Sequence, residues 1–424
     1  MNHNPGPVFM QAFEMNVTRR EMFGPGARST TTAMTLGCAL FACSERPGPV
    51  EPPITELVAR YGLQPMPAML HPPSNTNDSL RVKLGRLIFF DPIQSGGRDV
   101  ACATCHLPRF GFTDGRELPA GPSGTGFGPD RVLEDPAIPF EGRNSPTIIN
   151  VGFNRFGAQQ TTDGFLFWDG RRRGLENLVT LPQLELSEMR GNHYRIEDAL
   201  DTVIARIRGI DEYETLFRSA FPERAAQVDA GLRTSVVDSA TLAMALAQFV
   251  RSITSTDSPY DRFVAGQTNA LSLAQVRGLI LFHERAGCVR CHSGPLFSDF
   301  LFHVVGAKQR GPGFQGTPHD DLGRWVATRL DTDRYRFRTP SLRNVALTSP
   351  YTHSGAYATL RDMVEFFNRG GGDHPWVERE RIEVAPIGLT SQEIDDLVAF
   401  LHALTDEPDF VPPSRVPSGL EVPK

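Results

Sequence analysis

Four of the six cysteines fall into one arrangement used twice: Cys102-Ala103-Thr104-Cys105-His106 and Cys288-Val289-Arg290-Cys291-His292. Closely spaced Cys and His serve three chemistries. A redox-active dithiol needs a βαβ setting, which neither motif has around it. A zinc centre takes its ligands at tetrahedral directions, and a His adjoining the second Cys is awkward for a single such centre. Covalent haem attachment needs this spacing. Two thiols add to the two porphyrin vinyl groups, and the adjoining imidazole then sits under the iron. Cys102, Cys105, Cys288 and Cys291 therefore read as attachment points for two c-type haems. His106 and His292 read as the proximal iron ligands.

The elements that must position these residues also repeat. Apolar residues at helical spacing precede each motif: Leu80, Leu84, Leu87 and Ile88 before the first, and Leu273, Val276 and Ile280 before the second. Each motif is followed by Phe and, two residues on, Asp: Phe112-Thr113-Asp114 and Phe297-Ser298-Asp299. Helix, loop, motif and loop form one small unit used twice, and the distance between copies gives each haem its own domain. Elsewhere, Ile196, Ala199, Leu200, Val203, Ile204 and Ile207 line one helix face, and Val236–Val250 predicts a long apolar helix. Thr390 and Glu393 form a capping box ahead of Ile394, Leu397, Val398, Leu401 and Leu404. Period-two strands are scarce, and Gly115–Gly142 predicts a long loop over the first haem. The expected fold is mainly α, with two cytochrome c-like domains, each carrying one covalent haem. Their bounds are 78–262 and 263–410, after a linker at 43–77 and before a tail at 411–424.

Composition is that of a soluble globular chain: 424 residues, 40% hydrophobic and 22% charged. A net charge of −6 gives no polybasic signal for nucleic acid. Arg19, Arg20 and Arg28 precede an apolar run, Ala33–Ala42, that is too short to span a bilayer, so 1–42 predicts an export signal. Initiation at Met15 would shorten it. The sequence Leu40-Phe41-Ala42-Cys43 resembles a lipoprotein cleavage site, which would make Cys43 a lipid anchor; a plain signal peptide is the alternative. An exported chain whose remaining cysteines all sit in the two motifs has no disulfide framework. The expected location is the periplasm, with any membrane attachment through Cys43 alone.

Longer motifs carry a family resemblance: "CATCH…FTDGR", "RNSPTIIN" from Arg143, "FWDGR" from Phe167, "SEM" at Ser187–Met189, "CVRCHSGPLFSD", "FRTPSLRNVALTSPYTHSG" from Phe337 and "LTSQEIDDLVAFLHALT" from Leu389. Over roughly 78–407 the chain resembles the bacterial di-haem cytochrome c peroxidases, a family that includes the MauG-type enzymes. The resemblance implies two mainly helical cytochrome c domains with calcium between the haems. It implies reduction of hydrogen peroxide with electrons from a small cytochrome c or cupredoxin. A MauG-like oxidation of a partner protein is the first alternative and a di-haem electron carrier the second. A homodimer is compatible with all three.

Carried over residue by residue, the resemblance makes Glu188 the active-site carboxylate and Trp168 the electron conduit between the haems. Asn144, Thr348 and Pro350 match calcium-binding positions, and His353 a residue near the second haem and calcium. The chain departs from the pattern at several places. Leu178 stands where the family usually has a glutamine in the peroxide pocket. Phe367 stands where the second haem's distal Met or Tyr is expected, so Met363, one turn earlier, and His374, beyond a glycine run, become the candidate ligands, with an open or water-ligated iron as the alternative. Ala286 replaces the exit tryptophan of MauG-type enzymes, leaving Trp325 and Trp376 as other relays. From Leu107 to Asn192 there is no histidine and one methionine, Met189. The loop therefore offers no histidine to cap the first iron, and His193 would have to reach back past Glu188. His303 reads as a packing or propionate contact; His71, His283, His319 and His402 have no motif support.

Overall fold

Helices form where the apolar repeat is helical and where a cap residue precedes it. The computed structural model describes residues 53–156, 159–314, 319–406 and 410–424; the expected export signal and Cys43 fall outside them. Among the described residues the helices are α1 (Ile54–Tyr61), α2 (Ser79–Phe89), α3 (Cys102–Cys105), α4 (Ile196–Arg208), α5 (Asp211–Ala220), α6 (Pro222–Asp229), α7 (Ser239–Ser252), α8 (Pro259–Val264), α9 (Leu273–His283), α10 (Trp325–Thr328), α11 (Leu360–Asn368) and α12 (Ser391–His402). None is long and apolar enough to cross a membrane. The Asp78 carboxylate accepts from the Leu80 and Arg81 amides to start α2. The capping box at Thr390 and Glu393 starts α12. The apolar run expected to be helical from Val236 becomes helix only at Ser239, because Asp238 and Thr241 cap each other there.

The apolar faces gather into two cores. Leu84, Ile88 and Phe89 of α2 pack with Val203 and Ile207 of α4, Phe217 of α5, and Leu246 and Phe249 of α7. Val276, Leu279 and Phe282 of α9 pack with Leu397 and Phe400 of α12 and Phe263 of α8. The inward phase differs from the expected one at both helix starts: Leu80 and Leu273 are 47% and 64% exposed. Gly85 and Gly278 set that phase. A Cβ on Gly85 would lie 2.0 Å from the Ala245 carbonyl oxygen of α7, and one on Gly278 would lie 2.0 Å from that of Asp396 of α12. Each helix preceding a Cys motif thus meets its partner backbone to backbone at a glycine.

The two chain ends cross over. The segment expected as a linker carries α1, whose Leu57 is buried with Leu63 in the second core. The expected tail runs back into the first core: Val416 and Val422 are buried there, and the Ser418 hydroxyl donates to Asp91. Strands are confined to two-residue antiparallel ladders. One of them, Phe165–Leu166 with Arg172–Arg173, forms the hairpin that presents Trp168. The 115–142 loop is fixed by two arginines. Arg131 donates to the carbonyls of Ala120, Gly121 and Gly126, and Arg116 to those of Gly128, Pro129 and Arg131.

Overpacking a tight contact costs about 1–3 kcal/mol or more. Gly85→Ala and Gly278→Ala are each expected to lower stability by at least that much in denaturant unfolding. Gly209→Ala, with no atom nearer than 3.4 Å to the added Cβ, is expected to leave it nearly unchanged.

Candidate active site

Both Cys motifs open into one cavity of about 570 Å³, whose lining includes all four thiols, His106, His292, Trp168 and Glu188. The motifs are built alike. The His106 amide donates to the Cys102 carbonyl, and the His292 amide to that of Cys288. Nδ1 of His106 lies 3.0 Å from the Phe112 carbonyl oxygen, and Nδ1 of His292 lies 2.9 Å from that of Phe297. A carbonyl only accepts, so Nδ1 carries the proton and Nε2 keeps its lone pair. Burial lowers the pKa of both imidazoles, so they stay neutral. Phe112 and Phe297 sit at φ of 57° and 49°, a region rare for such side chains, and this turns their carbonyls onto the histidines.

The four thiols are free, and burial pushes Cys102 and Cys288 up to about 12. Such thiols are not reactive thiolates. Paired free thiols, a fixed neutral imidazole beside each pair and a shared, largely apolar cavity fit two c-type haems, with His106 and His292 as iron ligands. A competing metal triad, Cys291, Asp299 and His303, has its ligand atoms within 4.8 Å of one another. His303 is already committed, with Nε2 at 2.8 Å from Asp299 and Nδ1 at 2.6 Å from Glu383.

Glu188 sits on a single π-turn, Leu186–Arg190, closed by Arg190 and Gly191 amides that donate to the carbonyls five residues back. Such turns recur at functional sites. Burial, and then the neighbouring Glu141 and Glu185 carboxylates, push Glu188 up to about 8, opposed by the Arg171 guanidinium. Leu178, where a glutamine was expected, lines the same cavity. Glu141 is a cavity residue that sequence reasoning missed; no motif singles it out, and only the return of the 115–142 loop places it there.

Asn144, Thr348, Pro350 and His353 all line the cavity. Asn144 Nδ2 donates to the Arg116 carbonyl at 2.7 Å. An amide oxygen and carbonyls of this kind suit a hard cation. His353 stacks on Phe337 at 3.7 Å, and burial lowers it to about 4. The Trp168 indole N–H donates to the Asn144 carbonyl at 2.9 Å. Next door, Arg143 is buried between Asp169 (2.8 Å) and Asp321 (2.6 Å). Of the two candidate ligands for the second iron, Met363 lines the cavity. His374 does not: its Nδ1 accepts from the Trp376 amide and its Nε2 lies 3.1 Å from Asp320. His193 lies against Gly96 and Gly97, outside the lining, whereas Met189 borders it.

The family model described as di-haem cytochrome c peroxidase matches residues 79–269. The methylamine utilization protein MauG of Methylorubrum extorquens is 31% identical over 350 residues, 82% of this chain and 84% of that protein. The chain belongs to the di-haem cytochrome c peroxidase family. Cytochrome-c peroxidase IdrP1 of Denitromonas iodatirespirans is 33% identical, over 81% of this di-haem peroxidase and 86% of the relative. Cytochrome c551 peroxidase of Pseudomonas aeruginosa is 30% identical, over 80% and 82%. A solved MauG-like protein associated with microbial copper homeostasis superposes with a TM-score of 0.67 at 27% identity, covering 83% of this chain and 98% of that one.

The Arg143 triad of this di-haem peroxidase gives a stability prediction. Burial alone would raise the Asp321 pKa, but the Arg143 guanidinium overrides it and holds it below the usual range. Removing one partner of a buried pair typically costs about 3–5 kcal/mol. Asp321→Ala is expected to lose that much in urea unfolding at neutral pH. The wild-type advantage is present above the unfolded aspartate's pKa and fades as pH falls through the lower folded value.

Proposed function

We propose that this oxidoreductase reduces hydrogen peroxide at the first haem, with electrons arriving through the second from a small cytochrome c or cupredoxin. The balance is H₂O₂ + 2 H⁺ + 2 e⁻ → 2 H₂O, so the chain must deliver two protons as well as two electrons. The observation that carries this reading is a buried carboxyl, Glu188, raised to about 8 in the cavity that holds both Cys motifs. A pure electron carrier has no use for such a group.

Domain 78–262 holds the peroxidatic haem through Cys102, Cys105 and His106; domain 263–410 holds the electron-transfer haem through Cys288, Cys291 and His292. When bound, haem iron supplies the redox centre at which peroxide is reduced. Glu188 takes and returns a proton as the O–O bond breaks, which for a positioned acid–base group is worth about 10²–10⁴ in rate. Trp168 lines the cavity with both motifs and carries electrons between them. Asn144, Thr348 and Pro350 hold calcium, and the Trp168 hydrogen bond to Asn144 ties the conduit to that site. Met363, which lines the cavity, would be the side chain available to the second haem as a distal ligand, an open or water-ligated iron being the alternative. The periplasm is the site of action, with Cys43 as a lipid anchor.

One observation favours a MauG-like resting state. No histidine from the 115–142 loop or from His193 borders the cavity beside the first motif. An iron held by His106 would meet no capping histidine from this loop, and the ferric protein would react with peroxide without pre-reduction. Oxidation of a partner protein is less well served, because Ala286 occupies the exit position and is buried.

Three outcomes test this. Mass measurement of denatured protein is expected to show two covalent haems, and Cys102→Ala or Cys288→Ala to halve covalent haem or abolish folding. Glu188→Gln is expected to cut peroxide turnover by about 10²–10⁴ with haem content retained; near-wild-type turnover removes Glu188 from the reaction. Electron paramagnetic resonance of the ferric protein is expected to show a high-spin component. Two wholly low-spin signals, with peroxide reaction only after reduction, would identify a capping ligand, Met189 being the side chain placed to supply it.

A further inference from the structure

The peroxide pocket holds a second carboxyl. Glu141 lies at the end of the 115–142 loop, two residues before the buried Arg143, and its amide donates to the Pro119 carbonyl at 3.0 Å. The same loop presses against the turn that bears Glu188: a Cβ on Gly121 would fall 1.8 Å from the Ser187 carbonyl oxygen. Both carboxyls line the cavity. The nearby Ser187 hydroxyl favours the ionised Glu141 carboxyl, yet Glu141 Oε1 is buried with no hydrogen-bond partner. An orphaned carboxylate oxygen in such a place is costly unless a proton or a donor reaches it.

We propose that Glu141 and Glu188 form a carboxyl pair that holds one proton between them, so that Glu141 sets the ionisation of the acid–base group and does the polar work absent at Leu178. This rests on the reading of Glu188 as the proton carrier. Two nearby buried carboxyls cannot both ionise cheaply, so the first proton leaves easily and the second is retained. The charged groups facing the pair are Glu185, which repels it, and Arg171 and Arg143, which favour ionisation; the Cys102 and Cys105 sulfurs lie behind it. Glu141 is itself pushed up, first by burial and then by Glu185, against the Ser187 hydrogen bond and the two arginines. With one proton shared by two oxygens, the pair accepts a proton as one carboxylate and returns it as one acid. No further charge accumulates in the cavity, and the two electrons still come from the donor.

The test is a pH titration of the haem-loaded protein by infrared difference spectroscopy, following the carbonyl band of the buried protonated carboxyl, beside the pH profile of peroxide turnover. In Glu141→Gln the neighbouring charge is gone, so the acid band assigned through Glu188→Gln is expected to disappear at least one pH unit lower than in wild type, with the turnover profile moving the same way. Ser187→Ala is the second variant. Without the hydroxyl Glu141 takes the proton more readily, and the Glu188 titration is again expected to fall. Unshifted titrations in both variants would overturn the pair while leaving Glu188 in place. Wild-type turnover in Glu188→Gln would instead overturn the underlying reading. A Glu141→Gln variant that loads less haem but titrates like wild type would reduce Glu141 to a structural role and also overturn the pair.

Discussion

The buried guanidinium of Arg143 is the contact on which the rest of the site depends. It bonds Asp169 through one nitrogen and Asp321 through two others, and packs on the Phe314 ring at 3.9 Å. With Arg143 itself, these groups come from three stretches of the chain, around 143, 169 and 314–321. A guanidinium fork fixes direction as well as charge, and removing any member strands a buried ion. The residues beside the ions are the ones with chemical work to do. Asn144 follows Arg143, Trp168 precedes Asp169, and the indole N–H closes the figure onto the Asn144 carbonyl. Glu141 stands two residues upstream. One ionic knot therefore fixes Asn144, Trp168 and Glu141, three residues of the cavity lining, together.

Around that knot the chain uses one local solution twice. A glycine lets each preceding helix meet its partner backbone to backbone, and a left-handed phenylalanine turns a carbonyl onto each proximal histidine. The two copies differ only in what lies across from the histidine. Beside the first, the buried carboxyls Glu141 and Glu188 line the cavity. Beside the second, Met363 and Phe367 line it, and His303 sits between Asp299 and Glu383, pushed up to about 11 by Asp299, then by the Cys291 sulfur, and less by Glu383. A histidine held as a cation between carboxylates has no spare lone pair for iron.

Much of this was legible in the sequence where chemistry depends on spacing along the chain. The Cys-x-x-Cys-His pairs, the capping box at Thr390 and the helices are local patterns, and the structure draws Glu188, Trp168, Asn144, Thr348 and Pro350 into one cavity. What escaped depends on contacts between distant segments. Helix periodicity alone put Leu80 and Leu273 inside, because it does not register that Gly85 and Gly278 are the points of closest approach. Glu141 carries no motif, and only the closing of its loop onto Ser187 gives it a role. Met363 and His374 were equal in the sequence. The turn after α11 separates them: Nδ1 of His374 accepts from the Trp376 amide, outside the cavity that Met363 lines.

The same long-range contacts bear on how the first haem is gated. A peroxidase whose iron is capped until the second haem is reduced needs a loop that can let go. Here that loop is fixed by two arginines, Arg116 and Arg131, whose guanidiniums take up seven of its carbonyls. Releasing it would expose those carbonyls and pull on Gly121, which sits against the Glu188 turn. The crossed ends work in the same direction, since α1 packs in the second core and the Val416–Val422 stretch in the first. A loop without a histidine to release, fastened by its own arginines, suits an iron that is open from the start. On this frame Glu141, Glu188 and Leu178 already line the cavity into which both Cys motifs open.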